Sequence, residues 1–254
     1  MSAITAENID QFLDHLSQKP CKGPKSFSRE PSEVPKLASS TIKKCYMILM
    51  SGYTTAKKWR YVKEIPETIA PAERNKRRKA WASDQVYSVM QTIDNKVLHL
   101  AVHLAFVCSL RAGETAGIDI GSIDFLDKSF WIKRQIQRAS DEALEQIAKD
   151  EIIYYVFPKQ QKKAKSSLVL KGPKTEDSYR KQYPTAPLLQ EIRERLIQVQ
   201  KNKDYFGAEY HDYGLLLCHP DGRPIDPKFL DRIFKKHQAS IGIKEEDQIE
   251  FQGL

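Results

Sequence analysis

The sequence predicts a mainly helical protein with a small β-sheet, built as a helical domain followed by a mixed α/β domain in which helices predominate. Three observations support this prediction. The first segments repeat apolar residues at helical spacing, the segments after residue 83 alternate between helical and strand patterns, and a proline-bearing basic segment separates the two. We therefore place a helical domain at residues 1–75, a basic linker at 76–82 and the α/β domain at 83–254.

The composition is that of a globular protein. The chain has 254 residues, of which 41% are hydrophobic, enough for a sizeable core. No apolar run approaches the roughly 20 residues of a membrane span, and the first residues lack the pattern of a secretory signal. We expect a soluble, cytoplasmic protein. The four cysteines are scattered without a CxxC pair, so neither a disulfide framework nor a cysteine zinc site is expected.

The positive charge is concentrated in the first third of the chain. Residues 1–80 hold 16 lysines and arginines against 8 acidic residues, which accounts for the whole net charge of +8, and the remainder is neutral. A basic block beside a neutral one is typical of a module that binds a polyanion. A solvated basic surface without a partner is the alternative, and charge alone does not decide between them.

Two helices are predicted in the first domain. The segment "ITAENIDQFLDHLSQ" has apolar residues at helical spacing, with Thr5 and Asn8 as capping residues. After a proline-rich loop, "LASSTIKKCYMILMSGYTTAKKWRYV" predicts a second helix capped by Ser39, Ser40 or Thr41. The basic side chains of this helix and of the linker are candidate contacts for a polyanion: Lys43, Lys44, Lys57, Lys58, Arg60, Lys76, Arg77, Arg78 and Lys79.

The second domain alternates between patterns. A helix restarts at Ser83, and "NKVLHLAVHLAFVCSL" predicts a buried helix that ends near Arg111. A strand at "KSFWIKRQIQR" precedes an acidic helix, the strands "IIYYVF" and "SSLVL", and a hairpin at "KGPKTEDSYRKQYPTAP". An amphipathic helix, an apolar strand "YGLLLC" with an Asp-Gly turn, and a last helix ending at Gly242 complete the domain.

One pair of histidines has the spacing of metal ligands. His99 and His103 lie four residues apart on the predicted buried helix, so both side chains point from one helical face. No third ligand is evident in the sequence, and packing in the core or at an interface is the favoured interpretation. We therefore expect no metal site.

Three segments together resemble the tyrosine recombinases, the family of phage and conjugative-transposon integrases. "SLRAGETAGIDIGSIDF" is similar to the family pattern TGLRxxELxxLxxxDID, and "KGPKTEDSYRKQYP" is similar to KTxxSxRxxP. The third segment, "HPDGRPIDPKFL…IEFQGL", is similar to a D-G-x-P turn, a helix and the start of an F-H-x-L-R-H box. The resemblance covers nearly the whole chain and implies a helical core-binding domain before an incomplete catalytic domain.

The resemblance implies roles for individual residues. Arg111 would bind the non-bridging oxygens of the scissile phosphate, because a planar, permanently charged guanidinium can hold two oxygens at once. Glu114 would brace Arg111, and Lys174 would be the general acid that protonates the leaving 5′-oxygen, with Lys171 as its rival. The partner implied is double-stranded DNA, and neither a metal nor a nucleotide cofactor is implied.

The sequence departs from the family in its last segment. Gln252, a possible active-site neighbour, stands where the family box has histidine, and glutamine cannot shuttle a proton at neutral pH. The family's second arginine and its nucleophilic tyrosine would match positions beyond Leu254. We therefore expect these residues to bind DNA without cleaving it, and to be monomeric, although intact family members form tetramers on DNA.

Three functional hypotheses remain open. The first is that the chain is part of a recombinase, which breaks and rejoins DNA through a 3′-phosphotyrosine during recombination or integration. The second is a catalytically inactive, recombinase-derived DNA-binding or regulatory protein. The third, which is less favoured, is a helical scaffold that binds an acidic protein through the basic first third of the chain.

Overall fold

The structure is a computed structural model that describes residues 4–21, 34–72, 79–147, 152–159, 161, 163–173 and 178–254. The chain divides into two compact units, residues 1–77 and residues 78–254. In the described residues each unit has its own hydrophobic core. The mainly helical fold with small β-sheets that the sequence predicts is confirmed.

The first unit is built on two helices that pack against each other, α1 (Ala6–Gln18) and α2 (Ser39–Lys58). At the start of α1 the backbone N–H of Asn8 donates to the Thr5 hydroxyl and the Thr5 N–H donates to the Asn8 side chain. This reciprocal capping box satisfies two amides that have no partner within the helix, as the sequence predicts.

The predicted cap of α2 is wrong. The helix starts after Ala38, and no side chain caps it there, so neither Ser39, Ser40 nor Thr41 is the capping residue. The predicted apolar face is confirmed, because Ile42 is buried against α1 and three residues pack around it at helical spacing. These are Tyr46, Leu49 and Tyr53.

The second unit has one core, formed mainly by helices. Its described helices are α3 (Ser83–Met90), α4 (Lys96–Cys108), α5 (Ala112–Ala116), α6 (Asp141–Ile147), α7 (Ala186–Phe206) and α8 (Pro227–Ser240). Helix α4 is apolar on most of its surface and packs against α3, α5, α7 and α8, so it is the central element of the core. Phe234 of α8 and Phe251 are fully buried in the same core.

Six strands in the described residues form two antiparallel sheets of three strands each. They are β1 (Ile123–Asp124), β2 (Ser129–Ile132), β3 (Gln135–Ser140), β4 (Ile153–Val156), β5 (Ser166–Lys171) and β6 (Arg180–Gln182). The strand orders are β1-β2-β6 and β3-β5-β4. The single strand predicted at "KSFWIKRQIQR" is divided between the sheets by a break at residues 133–134.

The predicted hairpin after β5 is wrong in its pairing. Strand β5 pairs with β3 up to Gln135 and Lys171, and β6 pairs with β2 from Ile132 and Arg180. The described strands β5 and β6 therefore belong to different sheets and do not pair with each other.

The apolar segment before the Asp-Gly turn is buried but is not a strand. It makes isolated bridges, between Leu215 and Asp119 and between Cys218 and Pro224. In a sheet, the backbone carbonyls of this segment would accept hydrogen bonds from a neighbouring strand. Here the Arg195 guanidinium donates to the carbonyls of Leu216, at 3.0 Å, and Cys218, at 2.8 Å. An apolar run in the sequence predicts that the segment is buried, but it does not by itself predict that the segment forms a strand.

Among the described residues, no helix is both long enough and apolar enough to cross a membrane.

Candidate functional site

Arg111 emerges from the core at the end of its central helix. Helix α4 ends at Cys108, and Ser109 adopts a left-handed conformation, with φ of 51°, that reverses the chain. Leu110 then returns to the core, and the side chain of Arg111 is 70% exposed. The charge at the edge of the apolar run is therefore presented to solvent from a rigid support.

Glu114 contacts Arg111 from the buried side, and the Glu114 side chain is only 6% exposed. Its Oε2 accepts the backbone N–H of Arg111 at 3.0 Å, and its Oε1 accepts Nη1 of the same residue at 3.1 Å. The first contact caps α5, which begins at the next residue, and the second orients the guanidinium. The predicted pair of Arg111 and Glu114 is therefore in contact.

A second arginine meets the same carboxylate. Arg180 of β6 donates through Nη2 to Oε2 of Glu114 at 2.8 Å and through Nη1 to Oε1 at 3.3 Å. Glu114 thus accepts four hydrogen bonds from two arginines, which is the full acceptor capacity of a carboxylate. We call Arg111, Glu114 and Arg180 the arginine–glutamate cluster.

The cluster keeps Glu114 ionised. Burial raises the pKa of Glu114, but the hydrogen bonds from Arg180 and from the Arg111 backbone, with the charges of both arginines, lower it further, and the pKa lies below its ordinary value. The cluster therefore holds two guanidinium groups and one carboxylate, with a net positive charge beside an exposed surface.

Arg180 was not singled out as a site residue from the sequence. The signal was present, because Arg180 occupies the arginine position of the pattern KTxxSxRxxP. Sequence spacing could not show its contact with Glu114, which lies 66 residues earlier in the chain.

The two candidate lysines differ in their placement. Lys174 lies outside the described residues. Lys171, its rival, is the last residue of β5 and is buried, opposite Gln135 of β3 and Ile153 of β4. Its ammonium group is therefore not presented at the tip of a turn.

Gln252 lies on the short 3-10 helix Phe251–Gly253, which packs on α4 and α8. Its side chain is exposed, whereas Phe251 on one side and Gly253 on the other are buried. The backbone N–H of Phe251 donates to the Asp231 carboxylate at 2.8 Å, which fixes this turn to α8. The turn thus anchors Gln252 on α8 and on α4, the helix that leads to Arg111.

The predicted basic contacts of the first unit lie on α2 and at its end. Lys44, Lys57, Lys58 and Arg60 are exposed, and Lys43 is half-buried. Two lysines occupy the last turn of α2, where the helix dipole favours positive charge, and Arg60 follows with a positive φ of 62°. The same helix also exposes Met47 and Ile48.

The linker candidates are described only in part. Lys76, Arg77 and Arg78 lie outside the described residues. Lys79 donates to the backbone carbonyl of Glu246, and its ammonium nitrogen lies 3.4 Å from a carboxylate oxygen of Asp247. To reach another anion, Lys79 would have to leave these two partners.

Comparisons with known proteins identify the fold. A Tn1549 transposon integrase in complex with a circular intermediate DNA superposes with a TM-score of 0.69 at 11% sequence identity, over 100% of this chain and 71% of that chain. The same integrase in complex with transposon right end DNA gives 0.66 at 13% identity, over 100% of this chain and 70% of that one. A lambda integrase dimer bound to a COC′ core site gives 0.55 at 14% identity, over 100% and 69%.

No protein-family model matches the chain, and no curated protein matches its sequence. The similarity is therefore one of structure, and the chain has the tyrosine recombinase fold.

Proposed function

We propose that this chain is part of a tyrosine recombinase that acts in site-specific DNA recombination or integration, and that these 254 residues bind duplex DNA and hold its scissile phosphate. The observation that carries the proposal is the arginine–glutamate cluster, in which Arg111 is exposed and oriented at the end of the central helix. The fold supports it, since the integrases with this fold were solved in complex with DNA.

Arg111 is the proposed phosphate ligand. Nucleophilic attack on a phosphodiester builds extra negative charge on the non-bridging oxygens, and a fixed guanidinium stabilises that charge. Because one edge of Arg111 is hydrogen-bonded to Glu114 and the side chain is 70% exposed, its other N–H groups are accessible to a phosphate. Glu114 is a positioning residue in this scheme.

The chemistry needs no metal or nucleotide. Attack by a tyrosine conserves the bond energy in a 3′-phosphotyrosine, so rejoining requires no external energy source. We assign Lys174 as the general acid for the leaving 5′-oxygen, because its rival Lys171 is buried at the end of β5. None of the eleven tyrosines of these residues matches the position of the family nucleophile, so the proposal for these 254 residues is binding without cleavage.

The exposed face of α2 is the proposed contact with the DNA backbone. Lys44, Ser51, Thr55 and Lys58 follow one another at helical spacing, and all are exposed. Lysine and hydroxyl side chains are common phosphate ligands, and the exposed Ile48 on the same face is suited to contact with a base or sugar. We propose that the linker residues Lys76, Arg77 and Arg78 extend this contact.

Binding of the chain to a duplex is expected to weaken about tenfold or more between roughly 50 and 200 mM salt, because each neutralised phosphate releases counterions. Fluorescence anisotropy with a labelled duplex measures this dependence. Lys44→Gln and Lys58→Gln should each reduce the slope of log affinity against log salt by about 1. The matched control is Lys203→Gln on α7, since Lys203 is paired with Asp212 at 2.6 Å. An affinity independent of salt would contradict the proposed interface.

A DNA-binding protein without catalysis is the second candidate, and Gln252 is the observation that favours it. The test uses a DNA duplex nicked near the scissile phosphate, which traps any covalent adduct between protein and DNA. Such an adduct is detected on a denaturing gel. These 254 residues should give only non-covalent complexes. An adduct from the product of the whole reading frame that contains them would support the recombinase, and tight binding without an adduct would support the binder.

A further inference from the structure

Two histidines and a glutamate meet on the side of α4 that faces α7. His99 and His103 lie one turn apart on α4, and their rings are nearly perpendicular, with centroids 6.0 Å apart. Glu191 of α7 points between them. The structure thus supplies, from a helix 88 residues further along the chain, the third ligand that was not evident in the sequence.

The three side chains converge on one point. Nδ1 of His99 lies 2.7 Å from Oε1 of Glu191, and Nδ1 of His103 lies 2.7 Å from Oε2. One potential ligand atom from each of the three residues lies within 4.8 Å of those from the other two. The side chains are 28%, 15% and 21% exposed, so the cluster is sheltered but remains open to an ion from solvent.

The three side chains carry donor atoms that divalent metal ions prefer. Imidazole binds a metal in its neutral form, and a carboxylate binds it through an oxygen atom. A cluster of two imidazoles and one carboxylate is typical of sites for zinc and related divalent ions.

The distances allow an ion with a small adjustment. A tetrahedral zinc ion holds nitrogen and oxygen ligands at about 2.0–2.2 Å, which places neighbouring ligand atoms about 3.3 Å apart. The present contacts of 2.7 Å would have to open by about half an ångström, since the ion replaces the two shared protons. A cavity of about 660 Å³ adjoins the cluster and is lined by all three residues, so water can complete the coordination.

We propose that His99, His103 and Glu191 bind a divalent transition-metal ion of the zinc class, which ties α4 to α7. Two ligands come from α4 and one from α7, so the ion links two helices that contribute to the same hydrophobic core. Because α4 leads directly to Arg111, the ion stabilises the support of the arginine–glutamate cluster without contacting it. The site is separate from the proposed phosphate ligand and does not depend on the proposed function.

Asparagine variants separate this proposal from a cluster held only by hydrogen bonds. The Nδ2 of asparagine can take the place of the histidine Nδ1 and donate to Glu191, but an amide is a poor ligand for zinc. His99→Asn and His103→Asn therefore keep the hydrogen bonds and remove the metal ligands. Glu191→Gln removes the third ligand while keeping the side-chain shape. His15→Asn on the exposed part of α1 is the matched control.

The test is titration of the metal-free 254-residue chain with Co²⁺, followed by displacement with Zn²⁺ in competition with a chelator. We expect one ion per chain, visible absorption of cobalt without the near-ultraviolet band of a thiolate ligand, and a higher Tm with Zn²⁺. The dissociation constant should rise at least about a hundredfold in each of the three site variants and stay unchanged in His15→Asn.

Three results would overturn the proposal. They are no stoichiometric binding to the wild-type chain, a thiolate band that assigns the ion to a cysteine, and an unchanged affinity in folded site variants. Circular dichroism checks the folding of each variant. If one variant fails to fold, the wild-type titration and the remaining variants decide the outcome.

Discussion

Glu114→Gln is expected to lower the free energy of unfolding by about 2–3 kcal/mol, a large effect for the exchange of one oxygen for an NH₂ group. Each Glu114 oxygen accepts one hydrogen bond from Arg111 and one from Arg180. In glutamine one acceptor becomes a donor that faces two other donors, and both arginines lose their neutralising charge. Urea denaturation monitored by circular dichroism measures the loss.

The variant should also weaken DNA binding, because Arg111 loses the contact that orients it. The control is Glu250→Gln, which removes a carboxylate from an exposed pair with Lys235 at 3.2 Å. Exposed pairs contribute at most about 1 kcal/mol, so the control should be nearly neutral. Equal effects of the two substitutions would show that the arginine–glutamate cluster has no special role in stability.

Stability should also depend on pH through the same carboxyl group. The folded pKa of Glu114 is lowered from its ordinary value of 4.5, so its contribution is complete above that value. Between 4.5 and the lower folded pKa, the unfolded chain binds a proton that the folded chain does not. The contribution of Glu114 to stability is therefore lost as the pH falls through this range to the folded pKa. The stability difference between wild type and Glu114→Gln should therefore be constant from pH 7 to about 5 and should shrink below 4.5. A difference that does not change down to pH 3 would contradict the assignment.

Local patterns were sufficient to predict most helices of this fold. The cap formed by Thr5 and Asn8 and the start of α3 at Ser83 depend on residues close in sequence, and both are confirmed. The apolar run of α4 predicted the central helix and its end near Arg111. These features are local because a helix satisfies its own backbone hydrogen bonds.

The features that sequence did not predict depend on distant contacts. Arg180 reaches Glu114 only because β6 pairs with β2 in the register that places Arg180 opposite Ile132. Glu191 reaches His99 only because α7 packs along α4. Strand register and helix packing are set by the whole core, so the spacing of residues along the chain contains little information about them.

Gly117→Ala is expected to destabilise the second unit by about 3 kcal/mol and to weaken DNA binding, because the new methyl group would collide with backbone. An alanine Cβ would lie 2.7 Å from the Cα of Gln135 and 2.9 Å from the carbonyl oxygen of Arg134. At Gly113 a Cβ would lie 2.8 Å from the carbonyl oxygen of Ile136. Both glycines therefore let α5 lie directly on β3, which fixes the position of Glu114 relative to Arg180.

The expected loss at Gly117 comes from this contact and not from the backbone angles, since its φ of −95° is open to any residue. Gly121→Ala is the matched control in the same unit, because its Cβ would meet only the Asp119 carboxylate at 3.5 Å, an ordinary contact. That variant should change stability by less than about 1 kcal/mol. Urea denaturation and the DNA-binding assay should separate the two variants. If Gly117→Ala has the same free energy of unfolding and the same DNA affinity as Gly121→Ala, then close packing of α5 on β3 does not hold the arginine–glutamate cluster in place.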